Sequence, residues 1–170
     1  MFALLLISLY GIAQAQKGEK SIAAGPLISF PLASSKRGES NLKMGMGLEV
    51  IGQYNVSSKS ALLLKLTFSS WSYKEDVIVY GVKRLSLLTL QGGYQYQFGP
   101  SGFFINGLVG TDIELNDAFA TIAFTLGAGK RFIIKDNYFI DAGIDLVGGD
   151  ADARVNIKAL FSLFRWPKKK

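Results

Sequence analysis

From Leu42 onward, large apolar side chains recur at every second position in segments of strand length, with Gly, Thr, Gln, Asn or a single charge between them. Leu62, Leu64, Leu66 and Phe68 show the pattern, interleaved with Lys65, Thr67 and Ser69. Successive side chains of a strand point to opposite faces, so this spacing makes strands with one apolar face and one small or polar face. Hydrophobic residues make up 49% of the chain, yet no apolar run approaches the roughly 20 residues that a membrane-spanning helix needs. Charged residues, at 19%, are few for a soluble surface.

The 170 residues suit one domain. The stretch from Phe2 to Ile12 is apolar and uncharged, and Ala13-Gln14-Ala15 follows it in the pattern of a leader cleavage site. Residues 1–15 therefore read as a signal peptide, and 16–170 as the exported domain with a short basic C-terminal tail. No Cys is present, so the leader is not a lipoprotein signal and the domain must be held by packing and hydrogen bonds alone. The formal charge of +6 is carried half by Lys168, Lys169 and Lys170. The rest is scattered without an aromatic-basic stripe, so no nucleic-acid partner is expected; the tail reads as solvated or resting on anionic head groups.

The alternation parses into strands at 20–32, 42–54, 61–72, 85–98, 103–115, 119–133, 138–148 and 154–166. The expected fold is all-β, an eight-stranded antiparallel up-and-down transmembrane β-barrel in the cell outer membrane; the even strand number returns the chain to its side of entry. The connections 55–60, 99–102 and 135–137 are short and belong on the periplasmic side, whereas 33–41 and 73–84 are long and belong outside. The other two, 116–118 and 149–153, are shorter than that rule expects.

The apolar set assigned to lipid begins with Leu42, Met44, Met46, Leu48 and Val50 and continues through Leu90, Phe124, Ile144 and Phe161. Tyr54, Tyr96, Phe98, Phe103, Phe132, Tyr138 and Trp166 gather near the short turns, as an interfacial girdle would. The other face carries Glu49, Lys65, Asp112, Arg131, Asp141, Asp145 and Lys158 beside Leu63, Phe104, Leu108, Phe139 and Leu160. A turn centred on Ser57 sets Glu49 opposite Lys65, and one centred on Asp136 sets Arg131 opposite Asp141. Lys158 with Asp145 is a third candidate pair. Unpaired charges in a narrow lumen are costly, so inward residues of this kind should be paired.

The chain has no His, which excludes Ser-His-Asp hydrolysis, Cys-His nucleophiles and His-ligated zinc. No catalytic residue, cofactor or metal is expected. Asp150 and Asp152 offer two carboxylates, short of the roughly six to eight oxygens that calcium takes. Gly45, Gly47, Gly93, Gly127 and Gly129 read as places where a small barrel curves or its lumen makes room.

With its leader ending Ala13-Gln14-Ala15-Gln16, its opening strand Ala24-Gly25-Pro26-Leu27-Ile28-Ser29-Phe30-Pro31-Leu32 and its strand Gly92-Gly93-Tyr94-Gln95-Tyr96-Gln97-Phe98, the chain resembles the small outer-membrane β-barrel (porin-like) family of the Bacteroidota. That family is related in architecture to the OmpA transmembrane domain and to OmpX. The resemblance implies insertion by the barrel-assembly machinery, although the Gly expected before the closing aromatics Phe161, Phe164 and Trp166 is missing. The expected function is a structural or surface-interaction role with a filled lumen, since eight strands leave an interior about filled by side chains. Outer-membrane lipid and lipopolysaccharide are the expected partners, the latter at Lys36, Arg37, Lys83 and Arg84, with the external partner left open. The alternative is a secreted lipocalin-like barrel binding a small apolar ligand, which would turn the same apolar face inward. Such a barrel should carry many Lys and Glu on its other face, where this chain has mainly Gly, Thr, Gln, Ser and Asn.

Overall fold

The alternating segments form strands β1 (Lys20–Pro31), β2 (Gly45–Asn55), β3 (Ser60–Ser72), β4 (Arg84–Phe98), β5 (Phe103–Glu114), β6 (Phe119–Lys135), β7 (Tyr138–Gly149) and β8 (Arg154–Trp166). The computed structural model describes residues 17–32, 42–74, 84–116, 119–135, 138–149 and 153–166. The expected leader, nearly all of both long loops with Lys36, Arg37 and Lys83, Asp150 and Asp152, and the tail from Pro167 lie outside the described residues. Each strand pairs antiparallel with its sequence neighbours, and β1 pairs with β8 to close the barrel. Closure leaves no sheet edge, so every strand has a hydrogen-bonded neighbour on both sides.

Burial follows the two-residue period. Met46, Leu48, Leu64 and Leu126 are 70%, 62%, 62% and 69% exposed, while Glu49, Lys65, Thr125 and Asp145 between or beside them are buried. The apolar face therefore points outward, which overturns the soluble lipocalin-like arrangement. Leu42 departs from its expected outward placement. It bridges to Tyr73 outside the strand ladders, and Lys43 and Met44 separate it from β2, so strand alternation does not extend to it. It packs instead with Trp71 and Leu87 in the barrel mouth.

A bulge explains the C-terminal end. Ile22 pairs with Phe164 but Ala23 pairs with Ser162, leaving Leu163 as an extra residue on β8. An extra residue reverses the alternation beyond it. Leu163, Phe164 and Trp166 are all exposed, and Arg165 turns inward to hydrogen-bond and ion-pair with Glu19.

The aromatics Tyr54, Tyr96, Phe98, Phe103, Phe132, Tyr138 and Trp166 all lie on the outer face at the short-turn end. Lys130 stands among them, its ammonium 5.0 Å from the Phe103 ring centre and 5.2 Å from that of Phe132. The rings attract the cation while its aliphatic stem lies on the apolar wall.

Candidate functional site

The lumen holds nearly all the buried charge among the described residues, arranged in layers along the barrel axis. In the middle, β8 supplies Lys158, whose Nζ donates to Glu49 Oε1 on β2 at 2.7 Å and to Asp145 Oδ2 on β7 at 2.6 Å. Lys65 of β3 reaches across to the same Asp145 Oδ2 at 3.3 Å and donates to Thr125 Oγ1 on β6 at 3.2 Å. Thr67 donates to Glu49 Oε2 at 3.1 Å, and Thr125 donates to Gln91 Oε1 on β4 at 2.7 Å. One polar network thus ties together β2, β3, β4, β6, β7 and β8.

Gly127 makes room for this layer. It lies opposite both Asn106 and Asp145, and a Cβ there would strike the Asp145 carboxylate and the Asn106 amide. Gly129 makes similar room for the Phe104 ring, and Gly45 for Trp71.

Toward the short turns, Arg131 forms a two-pronged pair with Asp141, Nε to Oδ1 at 2.7 Å and Nη2 to Oδ2 at 2.6 Å. Its Nη2 also donates to Gln53 Oε1 at 2.8 Å, and its guanidinium lies 3.8 Å from the Phe139 ring centre. The fork matches a carboxylate geometrically, and the ring covers its flat face. Toward the long loops, Arg154 forks onto Asp112 at 2.8 and 2.9 Å, with Thr89 bonded to both. Beyond Arg154, Trp71, Leu42, Leu87 and Tyr73 line a mouth pocket of about 230 Å³.

The structure brings Arg131 and Asp141 together as cross-strand neighbours, and places Lys158 diagonally against Asp145. It does not set Glu49 opposite Lys65. Thr67 faces Glu49, and Ile51 faces Lys65, because the turn after β2 is centred one residue later than expected. Val56 N–H donates to Ser60 O at 2.9 Å, and Ser57 Oγ accepts from Lys59 N–H, fixing that four-residue turn. The slip moves each partner by two residues, so both side chains keep the inward face. Their ion-pair partners lie elsewhere on the wall, Lys158 for Glu49 and Asp145 for Lys65.

Arg154 and Arg165 were not among the expected inward charges. Arg154 opens β8 and alternates in phase with Asn156, Lys158 and Leu160, a signal that identifies its face. Arg165 is out of phase with that set and reaches the inside only through the bulge, which nothing in the sequence marks. With both included, Glu19, Glu49, Asp112, Asp141 and Asp145 are each matched by a cation. Chemically the lumen is a set of compensated ion pairs whose removal one at a time would strand a buried charge.

No protein-family model and no curated protein sequence matches the chain significantly. Among solved structures, the chain is similar to Ail, the attachment invasion locus protein of Yersinia pestis, with a TM-score of 0.60 and 18% identity over 89% of this chain and 100% of that one. Neisserial surface protein A matches with a TM-score of 0.57 and 11% identity over 86% of this chain and 98% of its own. The outer membrane protein OprG of Pseudomonas aeruginosa matches at 0.56 and 10% identity, over 92% of this chain and 100% of that one. At these identities the likeness is one of fold, and the fold shared is that of a small outer-membrane β-barrel.

Proposed function

We propose that the chain is an integral outer-membrane barrel with a structural or surface-interaction role, its lumen closed to solutes and without catalytic activity. The observation that carries the reading is the division of its wall: an apolar outer belt around a lumen of paired charge. An outer face with Leu126 69% exposed and Met46 70% exposed is stable in hydrocarbon and a liability in water. The aromatic collar at the short-turn end belongs at head-group depth, and we assign that end to the periplasm. The void beside Arg131, Asp141 and Leu160 is about 10 Å³, at the lower limit for one water, which supports a closed lumen.

Outer-membrane lipid, lipopolysaccharide at the long-loop end and the barrel-assembly machinery are the partners this reading assigns. The closer kinship is assigned to the OmpA-like barrels of the Bacteroidota, on the strength of the opening strand and the Gly-aromatic strand β4. The chain expressed with its expected leader should fractionate with outer membranes and migrate faster on a gel unheated than boiled. Recovery as a soluble periplasmic protein, or identical migration before and after boiling, overturns the proposal.

A further inference from the structure

The outer wall is not smooth. Along one row of paired residues, Ile22 of β1, Gly52 of β2 and Leu64 of β3 lie side by side on the outward face. Gly52 leaves a gap there, since a Cβ at this position would meet only Leu64 O, at an ordinary 3.8 Å. The gap is the floor of a shallow, open depression in the wall, bordered by Ile22, Tyr54, Leu62 and Leu64. At the short-turn rim the depression reaches Lys20 and Trp166. Lys20 is paired in the ladder with Tyr54 on one side and Trp166 on the other, and all three are exposed. Lys17 is exposed just before it in the chain.

We infer that this depression is a binding site for a single anionic diacyl phospholipid. An acyl chain fills the slot over Gly52, and the phosphate sits against Lys20 between the Tyr54 and Trp166 rings. The inference rests on the membrane reading above and deepens it. Shape and charge carry it together. Outward of the Gly52 gap the walls are the apolar side chains of Ile22, Leu62 and Leu64, and at the next outward position toward the short turns Lys20 adds a cation between two aromatic rings. Lys130, also outward at this rim, is engaged instead by the rings of Phe103 and Phe132.

Gly52→Leu fills the slot without a backbone clash, and Lys20→Gln removes the charge from an exposed position, so both variants should fold. Native mass spectrometry of detergent-solubilised protein, given phosphatidylglycerol or phosphatidylcholine, reads the site. The unaltered protein should retain one phosphatidylglycerol in preference to phosphatidylcholine. Lys20→Gln should reduce phosphatidylglycerol retention about five-fold and abolish the preference. Gly52→Leu should reduce retention of both lipids, whereas Lys130→Gln should leave the preference in place. Heat-modifiable migration of each sample separates the outcomes. Folded variants that retain phosphatidylglycerol as well as the parent does overturn the site, whereas failure of the parent chain to enter membranes overturns the membrane reading instead.

Discussion

Asp145→Asn should destabilise the folded barrel by about 3–5 kcal/mol, the scale for stranding a buried charge by removing its partner. Asp145 is fully buried, and its Oδ2 accepts from both Lys158 and Lys65. Without that carboxylate, two ammonium groups share only Glu49, which contacts Lys158 directly, and Lys65 keeps only the Thr125 hydroxyl. The measurement is the shift in urea midpoint for unfolding from phosphatidylcholine vesicles, with the slope checked for constancy. A second substitution sharpens it. Lys65→Met in the Asp145→Asn background removes the stranded cation and restores neutrality to the layer, so the double variant should be more stable than Asp145→Asn alone. A double variant whose loss equals the sum of the single losses would show that the charges are not coupled.

Leu126→Arg should cost about 2–4 kcal/mol in a bilayer, the penalty for a cation on the lipid face of a barrel near the midplane. Leu126 lies near the middle of β6, between Gly107 of β5 and Leu146 of β7 in the ladder, and is among the most exposed apolar residues of the wall. In a barrel surrounded by water the same change would be neutral, because surface substitutions away from special features fall within about 0.5 kcal/mol. Folding yield and urea midpoint into vesicles are the readouts. A stability loss in vesicles that vanishes when the acyl chains are replaced by a short-chain, water-permeable micelle would locate the cost in the hydrocarbon.

How the sequence encodes these effects differs from residue to residue. The facing of Glu49, Lys65, Asp145 and Lys158 is legible because alternation depends only on parity, and a register slip of two residues preserves it. The pairing of Arg131 with Asp141 is legible because both flank one short connection. Lys158 and Glu49, by contrast, stand 109 positions apart and Lys65 and Asp145 stand 80 apart. The first contact reaches over β1 and the second crosses the lumen, and hairpin rules describe only adjacent strands. Leu42 escapes the parity rule because the sequence alternation continues past the point where the ladder stops. The turn 56–59 contains Val, Ser, Ser and Lys, with no Gly to fix its centre, so its register came from hydrogen bonds that composition does not reveal.

The central claim is that one face of every strand meets lipid and the other a closed, charged interior, and a strand-long accessibility scan tests it most directly. The chain has no Cys, so single cysteines can be introduced and spin-labelled without background. Labels at Leu62, Leu64, Leu66 and Phe68 of β3 should collide readily with lipid-dissolved oxygen and poorly with a water-soluble nickel complex. Labels at Leu63, Thr67 and Ser69 should be shielded from both. The opposite phase, or nickel access along the even-numbered positions, would contradict the account.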